Sequence, residues 1–358
     1  MYLKSVFLSI VLLLFLCSCT DSDRGEPTVV DANLSAALEQ ATDYAIIAAV
    51  EKFTEEANSF SASANTFCAE ANASTLTELQ EQWRVLFSQW YRLSIYNFGP
   101  LDDNLIFPAY TFIDSLRLRG TDYTGTVRSE ITADISDDFS LDDNYYALKT
   151  FNKVGLLALE SVIFETASSE HSRVSENIIA EYQDQLRKCD VLKGLAGQVL
   201  ARAQYVEFGW LIAHKDSSTP YRTLFINEQL DNGAQPLAQL LVSIQEFLDY
   251  LKARNVVTTA AQTSAHSWQA IAATIDEVEL LLQGGEQTTD SFFDVMVATG
   301  NQNAVDSVNV NLANIRQSIT DRNAAMLEIN LGNLDGNFKR EIADSLNVSL
   351  GINFTDGD

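Results

Sequence analysis

The sequence predicts an all-α protein made of two helical bundles, and three observations lead there. Apolar residues recur at spacings of three and four along nearly the whole chain beyond residue 33, which is the period of a helix burying one stripe. Gly209, Pro220, Gly233 and Pro236 break that pattern together, so a first bundle over 34–208 and a second over 209–358 are expected. No period of 20–50 residues repeats, which sets a solenoid aside.

In chain order, the first segment reads as an export signal. Lys4 supplies the positive end and Val6 to Leu16 an apolar stretch too short to span a membrane. Leu16-Cys17-Ser18-Cys19 then resembles a bacterial lipobox, with residues 1–18 removed and Cys19 bearing the lipid. An ordinary signal peptide cut nearby is the alternative. No Asp follows Cys19, so anchoring in the outer membrane is expected, facing the periplasm or the cell surface. Residues 19–33 read as a flexible tether.

The first helix is expected from Leu34 to about Ala71, with Leu38, Ala41, Ala45, Ala48 and Phe53 on one stripe. Thr75 to Glu78 fits a capping box for the second. There Leu79, Trp83, Leu86, Trp90 and Leu93 alternate steps of four and three, a bundle seam, and Gly99-Pro100 ends it. Asp134, Asp137, Asp138, Asp142 and Asp143 lack calcium-loop spacing and read as a solvated loop before the next helix. That helix is expected over Asn144 to Phe164, followed by one from Glu176 to about Phe208 carrying Leu186, Leu192, Leu195, Val199 and Ala203. Helices at Leu237–Ala253, Ala260–Leu282, Asp290–Thr299, Asn303–Asn330 and Leu334–Leu346 complete the second half.

Composition narrows the partners. Asp and Glu number 49 against 23 Lys and Arg, a net charge of −26, which repels nucleic acid and anionic lipid. Cys68 and Cys189 remain after the export segment and form either a disulfide or two isolated buried thiols; a four-cysteine zinc site is excluded. The three histidines, His171, His214 and His266, lie in no zinc-hydrolase motif, and His214 reads as a surface-loop residue. No phosphate loop, dinucleotide fingerprint or serine nucleophile elbow is present.

One stretch carries chemistry. Between Val154 and Phe164 every residue is apolar or small except Glu160, so the stretch, Leu157 and Ile163 included, is expected to be buried and this acid to lie in an interior where it must be paired, hydrogen-bonded, metal-bound or protonated. A core Arg or Tyr is the simplest partner. Gly155-Leu156-Leu157-Ala158-Leu159-Glu160 and the apolar residues after it resemble the signature of the imelysin family, Gly-x-His-x-x-Glu. Trp83, Trp90 and Asn97-Phe98-Gly99-Pro100 resemble the family's tryptophan helix closing on Phe-Gly-Pro. The ending from Leu350 to Asp358 is similar to the family's final Asp-Gly-Asp.

The resemblance implies a lipid-anchored, iron-regulated protein with Gly155 and Glu160 as binding residues. Glu160 is the implied metal ligand, iron or another divalent cation the implied cargo, and an outer-membrane uptake protein the implied partner. It also implies metallopeptidase activity, but the family's histidine falls on Leu157, which can neither bind metal nor transfer protons. A non-catalytic binding component in metal acquisition is therefore expected, with a metallopeptidase and a structural adaptor as the other classes. Asp356 and Asp358 are the acids that would complete a cation site on Glu160.

Overall fold

A computed structural model describes residues 29–104, 106–117, 121–285 and 290–350. Cys19, Asp356 and Asp358 lie outside them. Among the described residues all regular structure is helical, in agreement with the expected class, and no helix is long and apolar enough to cross a membrane.

Helix α1, Val29–Ala41, begins inside the stretch expected to be tether. It runs through a π-helical turn at Thr42–Ile47 into α2, Ala48–Ala69. The wider turn adds a residue, so the stripe passes from Ala45 to Ala49 and Phe53, and Ala48 faces solvent. Helix α3, Ala73–Leu93, is capped one turn earlier than expected: the Asn72 side chain accepts from the Ser74 and Thr75 amides, and Thr75 returns the bond. All five seam residues are fully buried.

The middle of the chain is more broken than its pattern suggests. Short α4 (Ala109–Ile113) precedes α5 (Thr124–Ser136), which carries Asp134 inward onto Lys149 at 2.8 Å rather than into solvent. Asp142 caps α6, Asp143–Ala147. The single helix expected over Asn144–Phe164 is three pieces: α6, a 3-10 turn at Phe151–Lys153, and α7, Leu156–Phe164. Helix α8 (Ser175–Asp184) is likewise separate from α9 (Arg187–Leu211), and Leu186 between them is 76% exposed instead of lying on the stripe. Cys68 of α2 and Cys189 of α9 are bridged, their Cα atoms 5.6 Å apart.

Helix α10 (Tyr221–Ile226) leads to α11 (Pro236–Ala253), α12 (Val256–Thr259) and α13 (Ser267–Gln283). Residues 260–266, expected to be helical, form a turn with Ala261 at φ +48° and Ala265 at φ +56°. Then come α14 (Phe292–Ala298), α15 (Gln302–Thr320), α16 (Ala324–Asn337), a π turn at Phe338–Ile342 and α17 (Ala343–Ser345). The break between α15 and α16 falls at Arg322, whose φ of +49° ends the helix that was expected to continue to Asn330.

Helices α2, α3 and α9 pack together over α5 and α7, while α11, α13, α15 and α16 pack as a second group. The groups meet where α3 lies on α13, and one apolar core runs through both. Trp83 stacks on Phe87 at 4.8 Å and meets Phe164 edge-on at 5.4 Å, so the tryptophan seam is packing material.

Candidate functional site

Helix α7 exists where it does because of Gly155. Its φ of +84° and ψ of −164° are open only to glycine, and a Cβ there would lie 2.5 Å from the Ile113 carbonyl oxygen and 2.7 Å from that of Phe112. The start of α7 is thereby pressed against the end of α4. Side chains from neighbouring helices bind its carbonyls: Trp83 Nε1 donates to Leu156, Gln80 to Ile163 and the Tyr182 hydroxyl to Val162. Every residue of the helix is buried except Leu157, which was expected inside and is half-buried.

Glu160 is 3% exposed, as its surroundings in the sequence require. Its partner is neither Arg nor Tyr. The Ser264 backbone N–H donates to Oε1 at 2.7 Å, from the turn between α12 and α13 in the other half of the protein. Burial pushes the Glu160 carboxyl up, against the opposing pull of bonds from Ser264 and Thr263, and the nearby Glu165 carboxylate pushes it further up. The left-handed residues Ala261 and Ala265 bracket Ser264, and the Ser264 hydroxyl donates to the Ala261 carbonyl, which closes the turn around the acid.

The same turn delivers His266. Its Nε2 lies 2.8 Å from Ser88 Oγ of α3, and its ring packs edge-on against Phe87. Burial, with Arg84 nearby, depresses its pKa to about 4, so it is neutral at neutral pH. Sequence reasoning gave it no role because it sits in no motif. Two other buried acids also escaped it. Glu165 accepts from Arg128 Nε and Nη2, each at 2.6 Å, and Glu277 accepts from the Tyr96 hydroxyl at 2.7 Å and Arg92 at 3.4 Å. Fully buried Lys188 pairs with Glu181.

His171 lies beside the Thr166 carbonyl, and His214 is 4% exposed against Tyr221 rather than on the surface; neither contacts Glu160. Among the described residues no three His, Cys, Asp or Glu side chains come together as a metal-holding group. Around Glu160 the described residues supply main-chain donors and the Glu165 carboxylate, itself taken by Arg128, which do not fit a catalytic metal needing several protein ligands and an open position.

The sequence profile of the family described as Imelysin matches residues 46–350. The chain belongs to the imelysin family. Solved structures share the fold. An imelysin-like protein of Psychrobacter arcticum 273-4 aligns with a TM-score of 0.65 at 16% identity, covering 90% of this chain and 98% of that one. A protein of Parabacteroides distasonis ATCC 8503 described as an iron-regulated protein A precursor aligns with a TM-score of 0.52 at 13% identity, covering 90% and 97%. A comparison with curated proteins gives no match. Gly155 caps α7 and Glu160 lies within it, on a helix bound at both ends to the rest of the core, while Leu157 is half-buried.

Proposed function

We propose that this imelysin-family protein is a lipid-anchored component of the bacterial cell envelope that serves metal acquisition by binding and has no peptidase activity. The observation that carries this reading is the state of the motif: Leu157 stands at the histidine position, and the Glu160 carboxyl accepts the Ser264 N–H. A hydrolase would need that carboxylate for a metal or a water. The iron-regulated name of the Parabacteroides neighbour favours iron among divalent cations as the cargo. A cation held on Glu160 would need further ligands from Asp356 or Asp358, and delivery to or from an outer-membrane uptake partner is the step that such a protein performs. Anchoring at Cys19 places it on that membrane.

The test is a protease assay on mature protein purified without chelator, with zinc, manganese or iron added, alongside metal analysis of wild type and Glu160→Gln. No cleavage is expected in either. Metal-dependent proteolysis that copurifies with wild type and disappears in Glu160→Gln would make this a peptidase. Mass spectrometry of the N-terminal peptide is expected to show diacylglyceryl on Cys19; an unmodified peptide starting elsewhere removes the anchor.

A further inference from the structure

Away from Glu160, a cleft of about 290 Å³ opens between the corner after α3 and the connection from α9 to α11. Its walls are built from close approaches. Gly99 has φ +57°, and a Cβ on it would fall 2.5 Å from the Tyr221 ring. A Cβ on Gly209 would fall 2.7 Å from Pro100, and the His214 Nδ1 lies 3.8 Å away. Asp102, Asp103 and Asp231 line the cleft with Lys215 as its one cation, so the lining is net negative.

The imidazole of His214 decides what the cleft is for. It is 4% exposed, lines the cleft, packs edge-on at 4.8 Å against Tyr221 and makes no hydrogen bond with any described residue. Burial and the neighbouring Lys215 push its pKa down, which leaves a neutral ring with one nitrogen lone pair and one N–H. The ring therefore offers its acceptor to whatever occupies the cleft, where a ligand N–H can meet it. Excess carboxylate disfavours an anion. The described residues here form no metal-holding group of three. An acceptor in an acidic cleft suits a cation that donates hydrogen bonds.

We propose that this cleft binds a small organic cation bearing an ammonium group, with the His214 ring accepting one N–H and the Asp side chains balancing the charge. The volume lies at the lower end of small-molecule pockets, which limits the ligand to a compact amine. The proposal is independent of the reading of Glu160, since no residue is shared.

Isothermal titration of the full chain with putrescine at fixed ionic strength tests it. One saturable site per chain is expected. His214→Phe leaves the charge at neutral pH unchanged and removes the acceptor, so diffuse attraction to an acidic surface is preserved while affinity for the site is expected to fall about tenfold or more, the value of a hydrogen bond to a charged group. Asp231 and Lys215 are exposed, so their variants bear on the cleft without disturbing the core. Asp231→Asn is expected to weaken binding and Lys215→Gln to strengthen it. Glu328→Gln, on α16, is expected to change nothing. Absence of saturation up to about 10 mM, far weaker than ordinary ligand sites, overturns the proposal. So does His214→Phe or Asp231→Asn binding like wild type with an unchanged circular dichroism spectrum.

Discussion

Gly155→Ala is the sharpest single perturbation of the motif. The residue holds φ +84° and ψ −164°, a region that costs any other residue about 1–3 kcal/mol. The new methyl would also lie 2.5 Å from one main-chain carbonyl oxygen and 2.7 Å from another, at the end of α4 where no flexible side chain can swing aside. Relieving that overlap means moving α7 or α4, and overpacking of this kind adds about 1–3 kcal/mol. The total is about 3 kcal/mol or more, a fall in Tm of about 4 °C or more for a chain of this size. Gly125→Ala is the matched control. It lies in the first turn of α5 with no atom within 4 Å of the added Cβ, and is expected to be neutral or to stabilise by about 0.5 kcal/mol. Urea unfolding followed by circular dichroism reads both. A Gly155→Ala protein within about 0.5 kcal/mol of wild type, the scatter of ordinary surface substitutions, would show that α7 does not start against α4 as described.

Glu160→Gln keeps the acceptor for Ser264 and removes a charge that burial opposes. Because the folded carboxyl holds its proton more tightly than the unfolded one, its contribution is complete below the ordinary value of 4.5 and is lost as pH rises through the raised folded pKa. Urea midpoints of wild type are therefore expected to fall relative to Glu160→Gln between acid and neutral pH; parallel profiles refute this. Reducing the Cys68–Cys189 bridge opens a loop with a sequence separation of 121 and is expected to cost about 4–5 kcal/mol, read as a lower midpoint with dithiothreitol. Lys188→Met leaves Glu181 without the partner on which it depends and is expected to destabilise by about 3 kcal/mol, with Glu181→Gln recovering much of the loss in a double-mutant cycle. Additive effects of those two substitutions would rule out the pairing.

The fold was legible to the extent that side-chain periodicity reports it. The α3 seam from Leu79 to Leu93 was readable because steps of three and four fix a helical face, and all of it is buried. The failures fall where backbone geometry decides. The π turn at Thr42–Ile47 shifts a stripe by one residue, and Ala261, Ala265 and Arg322 adopt positive φ with side chains that give no sign of it. Asp134 looked like one of several solvated acids because its partner, Lys149, lies on the far side of a turn that the sequence does not announce.

The candidate site divides along the same line. Burial of Glu160 followed from the apolar residues around it, since a lone acid among them has nowhere wet to go. Its partner did not follow, because a buried acid in a sequence points to a cation or a hydroxyl, whereas the structure uses main-chain N–H groups, which every residue but proline carries. That choice has a mechanical consequence. A carboxyl bound to the Ser264 amide ties α7 of the first group to the α12–α13 turn of the second, and the same turn carries His266 to Ser88 of α3. Moving that turn would therefore disturb both contacts together. In this chain the motif acid acts as a fastening between the two helical groups, and a ligand that competed for the Glu160 carboxyl would be felt at their junction.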